Sequence, residues 1–298
     1  MTMLKPFFTL MSPAGPRGRL SVLIFHRVLP EPDPLFPDEM HAQRFREMCG
    51  WIKAWFNVLP LDQAVTHLKA GTLPSRAACI TFDDGYADNL HVAVPILLQH
   101  GLTATFFIAT GFLDGGRMWN DTIIETVRGR NDLSIADRQA AIASHINAIK
   151  YRPAVERIAV TEQLAQSAHA QLPANLMMTC AEVKTMRQAG MQIGAHTVSH
   201  PILASLTDDQ ARREIDDSKQ FLEDLLGERI GLFAYPNGKP GEDYSPNTVD
   251  IVRRLGFDAA VSTQWGASRM GDDLMQIKRF TPWDATRLRF GLRLLRNL

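Results

Sequence analysis

Two short stretches hold the residues best suited to chemistry. In "CITFDDGYADN" the acids Asp83 and Asp84 directly follow an apolar run, and in "HTVSHP" His196 and His200 stand four residues apart. Adjacent carboxylates repel each other, so a buried strand that ends on two of them calls for a cation or for water. One turn of helix would put both imidazoles on the same side, a spacing that suits chelation of one divalent cation. With Asp84 as third ligand the set has three protein ligands and an open position, the pattern of a catalytic zinc. A metal would neutralise one carboxylate and leave Asp83 free as a base for water. Alone, Asp-Asp-Gly is an ordinary strand-to-helix turn. With "HTVSHP" in the same chain, the metal site is the better reading. Ferrous iron also accepts two histidines and a carboxylate, but a spare Asp beside the ligand fits hydrolysis better.

The elements that must position these groups are short apolar runs: "LSVLIF" (20–25), "AACITF" (77–82), "TATFFIA" (103–109), "MQIGA" (191–195), "GLFAY" (231–235), "FDAAVS" (257–262) and "MQIKRF" (275–280). Their lengths and β-branched content suit strands buried on both faces. Helical patterns lie between them. Phe45, Met48, Ile52 and Trp55 or Phe56 recur at helical spacing. Thr179 with Glu182, Thr207 with Gln210, and Ser245 before Pro246 mark helix starts, while Gly190, Gly227 and Gly256 mark ends. Strands alternating with helices predict right-handed βαβ units. The expected fold is α/β, a barrel of about seven parallel strands, irregular or open. The chain is expected to be one domain over 1–298, with a helical insertion at about 113–178 built on "SIADRQAAIASHINAIK" and "PAVERIAVTEQLAQSAHAQL". In such folds chemistry gathers beyond the C-terminal ends of the strands. His26, the Asp83–Asp84 pair, His196, and the Tyr235–Pro236–Asn237–Gly238 turn all stand at such ends.

The totals exclude several classes. Among 298 residues, 32 basic side chains balance 32 acidic ones, so there is no global electrostatic footprint for nucleic acid. Cys49, Cys79 and Cys180 are far apart and form no CxxC, which reads as buried free thiols in a reducing compartment. The opening "MTMLKPFFTLMSPAGPRG" is a poor signal peptide and too short to span a membrane. The expected location is cytoplasmic, with an atypical export signal as the other reading of those first residues.

"TFDDGYADN" followed by "HTVSHP" resembles the first two motifs of the polysaccharide deacetylases, the NodB-like carbohydrate esterase family four, and "FAYPNG" resembles a variant third motif. The similarity spans 20–112 and 179–280. It implies a distorted (β/α) barrel, removal of N-acetyl groups from glycans, Asp83 as general base, and Asp84, His196 and His200 as the metal triad. Zinc is the expected metal, with cobalt, nickel or manganese as alternatives. Two departures stand out. Ala234 occupies the place of a motif arginine, and no histidine follows His200 to supply the acid. His26 in "LIFHRV" resembles the early histidine of exopolysaccharide deacetylases with permuted motif order and is the expected acid. Arg279 in "IKRF" is the expected partner orienting Asp83.

The expected reaction is hydrolysis of the acetamide of an N-acetylated glycan, with Asp83 taking a proton from water, the Asn237 backbone N–H at the oxyanion, and His26 protonating the amine. A small-molecule amidohydrolase and a non-catalytic carbohydrate-binding relic are the alternatives. Tyr235 and Trp265 read equally as sugar-stacking or packing residues. Trp119 and Asp121 in "RMWND" read as a helix start with an apolar anchor rather than groove lining. The terminal "TRLRFGLRLLRNL" reads as a packed last helix, with peripheral membrane contact through its basic amphipathic face as the second option.

Overall fold

The computed structural model describes residues 4–152 and 154–298. Part of the amino-terminal stretch read as an atypical export signal, Met1–Met3, and the first residue of the second insertion pattern, Pro153, lie outside them. The chain begins with α1 (Lys5–Met11), β1 (Arg19–Phe25), α2 (Ala42–Trp55), β2 (Asn57–Val58), α3 (Leu61–Ala70) and β3 (Ala77–Phe82). A π-helical turn at Asn89–Ala93 then runs into α4 (Val94–Gln99) and β4 (Thr105–Ile108). Helices α5 (Trp119–Arg128), α6 (Ile135–Ile149) and α7 (Ala154–Ser167) follow. The last part runs α8 (Cys180–Gln188), β5 (Gln192–Ala195), α9 (Asp208–Leu226), β6 (Leu232–Ala234), α10 (Pro246–Arg254), β7 (Ala259–Val261), β8 (Ser268–Arg269) and α11 (Arg287–Asn297).

The sheet order is β7-β6-β5-β4-β3-β1-β8, parallel except for β8, with β2 alongside β3. It curls into a distorted barrel. The expected seventh strand, 275–280, does not form a regular ladder. Asp273 caps a tight turn at Leu274–Gln276 by accepting from the Met275 N–H, and the segment straightens only afterwards. It still closes the gap between the first and last parallel strands. The Ile277 N–H donates to the Ala260 carbonyl at 2.9 Å, and the Phe280 N–H donates to the Val22 carbonyl at 2.8 Å. Between those contacts the Arg279 N–H turns to the Gln264 carbonyl, which aims its side chain inward.

Strand alternation divides the core. Leu23, Phe25, Ile80, Phe82, Phe106, Ile108 and Phe233 pack against the helices, whereas Val22, Cys79, Phe107, Leu232 and Val261 form the interior cluster with α3. Gly194 is required there. A Cβ on it would meet the Phe107 ring at 2.5 Å, so only glycine lets that ring fill the barrel. Thr179 and Thr207 form capping boxes and Ser245 caps α10, as expected; Ser245 also closes a box with Thr248. Helices α5, α6 and α7 bury their own cluster, Ile123, Val127, Ile142 and Ile149, which Leu35 from the β1–α2 loop joins. Among the described residues no helix is long and apolar enough to cross a membrane. Helix α11 buries Phe290 and Leu294 and leaves Leu288 and Leu292 exposed.

Candidate functional site

Along β3 the interior series Ala77, Cys79, Thr81 continues into Asp83, so the strand itself carries this carboxylate inward. There it meets Arg279, the bulkiest fully buried side chain. The guanidinium donates to both oxygens, Nη1 to Oδ1 at 2.7 Å and Nη2 to Oδ2 at 2.7 Å. Its Nε donates to the Ser262 carbonyl at 2.8 Å, which leaves the fork no freedom to turn. Burial pushes the Asp83 carboxyl up, but the Arg279 charge, with His196 and His26 adding, more than offsets this and holds it below the usual carboxylate range.

Asp84 breaks the strand. Its φ of 82° lies in the left-handed region that non-glycine residues rarely adopt, and Gly85 follows at 94°. The strained turn brings the Asp84 carboxylate to the rim, with Oδ1 3.4 Å from Nε2 of both His196 and His200. Oδ1 is buried and has no hydrogen-bond partner among the described residues. The His196 Nδ1–H donates to the Ala234 carbonyl at 2.8 Å, which leaves Nε2 with its lone pair facing Asp84. One nitrogen or oxygen atom from each of Asp84, His196 and His200 lies within 4.8 Å of the others, close enough to hold one metal ion. Burial pushes His200 down to about 4, whereas for His196 the push of burial is outweighed by Asp84 and Asp83, which raise it.

The histidine pair does not sit on a helical turn, as the spacing suggested. Thr197 and His200 both have positive φ, at 65° and 52°, and the rings meet at 4.8 Å between centroids through a tight loop. Glu214 of α9 holds that loop by accepting from the Val198 and Ser199 N–H groups and the Ser199 hydroxyl. No spacing signal pointed to Glu214.

His26 stands at the end of β1, solvent-exposed, with no side-chain hydrogen bond among the described residues. Its backbone is clamped by "GYADN". The Asn89 side-chain amide donates to the His26 carbonyl at 2.8 Å, and Asp88 accepts from Arg27 Nε at 2.8 Å and the Val28 N–H at 3.1 Å. Asn237 is exposed with φ of 58°, and its N–H has no partner among the described residues. Tyr235 is a correction. Its ring is 0% exposed, stacked on Tyr244 at 3.9 Å, and its hydroxyl donates to the Met275 carbonyl, so it offers no face to a substrate. Trp265 is exposed, and Trp119 packs against the α5–α6–α7 cluster under Arg157.

Residues 70–260 match the sequence profile of the family described as polysaccharide deacetylase. The chain belongs to that family. Among its relatives, the Bacillus subtilis (strain 168) protein named "Putative polysaccharide deacetylase YxkH" is 21% identical over 264 residues, 88% of this chain and 71% of that one. Two solved structures share the fold. The Streptococcus pyogenes deacetylase PplD in complex with acetate has a TM-score of 0.64 at 21% identity, over 94% of this chain and 97% of that one. IcaB from Ammonifex degensii has a TM-score of 0.65 at 19% identity, over 94% and 98%. Within this polysaccharide deacetylase family member, the place expected for a motif arginine holds Ala234, whose carbonyl receives the His196 Nδ1–H instead. The buried cation beside Asp83 comes from Arg279, on the segment that closes the barrel.

Proposed function

We propose that the protein is a metal-dependent N-deacetylase acting on an amino-sugar-containing polysaccharide or its glycan precursor. The observation that carries this is the pairing of an Arg279-clamped Asp83 with the orphaned, buried Asp84 Oδ1 between two imidazole nitrogens. A buried carboxylate oxygen with no donor is costly, and a cation at that point would satisfy it. The donor set of one carboxylate and two imidazoles suits zinc, with cobalt, nickel or manganese as substitutes.

A divalent cation held by Asp84, His196 and His200 would supply Lewis acidity to the acetamide carbonyl and acidify a water. The protein's own groups do the rest. Arg279 keeps Asp83 ionised and fixes its plane, while each Asp83 oxygen retains a second lone pair to receive the proton of the attacking water. The free Asn237 N–H is the donor for the charge developing on the carbonyl oxygen. His26, exposed and fixed only through its backbone, gives a proton to the departing sugar amine. The products are acetate and a free amino sugar.

The reading treats the whole chain as one catalytic unit with 113–178 inserted. Support comes from the C-terminal end of that segment, where the Met178 N–H donates to the Gly85 carbonyl and the Ala87 N–H to the Leu176 carbonyl, beside the paired acids. The test is acetate release from a panel of N-acetylated glycans and small amides, with and without chelator. Chelator-sensitive release from glycans supports the proposal; release confined to small amides would replace it with an amidohydrolase.

A further inference from the structure

Beside Asp84 lies a cavity of about 270 Å³ between the β1–α2 loop and α5. Its walls include His26, Arg27, Phe36, Tyr86 and Asp121. Whatever fills it therefore lies against the proposed acid and a proposed metal ligand. The volume sits near the lower end of small-ligand pockets, roughly 300–1,000 Å³, which suits a single ring.

Asp121, in the first turn of α5, is 3% exposed, and no Lys or Arg forms an ion pair with it among the described residues. Its donor there is the Tyr86 hydroxyl, shared between both carboxylate oxygens at 3.2 Å each. Arg27, on the same wall, is paired with Asp88 instead. Its Nε donates to Asp88 at 2.8 Å and its guanidinium lies over the Tyr86 ring at 4.6 Å. Buried carboxylates normally collect several donors, and this one has half of one per oxygen. Burial pushes it up to about 6, with Arg27 opposing and Asp84 and Glu125 adding. The wall thus offers an acceptor in need of donors at Asp121 and an apolar face at Phe36. A neutral ring rich in hydroxyl donors meets both needs, supplying hydrogen bonds to the carboxylate and a C–H face to Phe36.

We infer that Asp121 is a substrate-binding residue, whose carboxylate accepts hydrogen bonds from the hydroxyl groups of the sugar ring that carries the acetamide. This rests on the deacetylase reading above and assigns the helical insertion a part in selecting the sugar.

The test compares kcat and KM on a chitin tetramer and on 4-nitrophenyl acetate, which has an acetyl group and no sugar hydroxyls. Asp121→Asn should lower kcat/KM on the tetramer by roughly tenfold or more beyond its effect on the ester, mostly through KM. Asp121→Ser guards against misfolding of the first variant and should show the same bias. Equal losses on both substrates, or no loss on the tetramer, would overturn the inference alone. If wild type leaves the tetramer intact, the comparison moves to the glycan of the panel that it does cleave; a wild-type protein that cleaves the ester and no N-acetylated glycan of the panel would overturn the deacetylase reading and this inference with it.

Discussion

Replacing Arg279 by methionine probes the interior of the site most severely. The variant keeps most of the side chain's volume but leaves Asp83 buried with no cation and with both of its 2.7 Å donors gone. Breaking a buried pair by removing one partner costs about 3–5 kcal/mol. Over 298 residues, an unfolding entropy of about 2.1 cal/mol/K per residue converts this to a Tm lower by about 5–8 °C. The loss should depend on pH. The folded Asp83 carboxyl lies below its ordinary value, so the pair contributes stability fully present above the ordinary carboxylate range and lost as pH falls through the folded value. The gap in Tm between wild type and variant should therefore narrow in acid. In the variant burial acts on Asp83 without the Arg279 charge that outweighed it, so the acidic limb of kcat/KM for acetate release should move to higher pH. Thermal melts across pH, paired with rate profiles, read both effects. A variant whose Tm falls by under 2 °C, or whose acidic limb stays in place, would refute the buried-pair reasoning.

Three further outcomes follow from the same geometry. His26→Ala should lower kcat for acetate release by about 10²–10⁴, and turnover near wild type would remove His26 from the mechanism. Zinc at a hundredfold its dissociation constant should stabilise the protein by about 2.7 kcal/mol, and Asp84→Asn or His200→Ala should abolish that shift in a thermal melt; an undiminished shift would place the metal elsewhere. Gly194→Ala should cost about 1–3 kcal/mol by driving a methyl group into the Phe107 ring, measured by denaturant unfolding, and a neutral result would mean the interior has room to spare.

Much of the site was legible because its chemistry is written in short contiguous stretches. "CITFDDG" states a buried strand, two acids and the turn that separates them, and the structure sends Asp83 inward and Asp84 to the rim. Arg279 was singled out because it ends the last apolar run in a chain where Ala234 holds the place of a motif arginine, and the structure pairs it with Asp83. Loop geometry was less so. The i, i+4 spacing of His196 and His200 suggested a helix, but spacing carries no φ angles, and Thr197 and His200 adopt left-handed ones held by a distant Glu214. Tyr235 was misplaced because β6 stops at Ala234 and the next ring folds back onto Tyr244, a stacking partner no local pattern specifies. Asp121 was read as a helix start, and it is one. Its place in the cavity depends on Tyr86, a contact across 35 positions of chain. The run 275–280 had strand composition, yet Asp273 capped its first half into a turn.

The most direct test of the central claim is acetate release from an N-acetylated glycan by metal-stripped protein titrated with zinc. The account predicts no turnover without metal and a linear recovery that ends at one equivalent, with Asp84→Asn showing no recovery at all. Full turnover by the stripped protein, or recovery equally complete in Asp84→Asn, would contradict it.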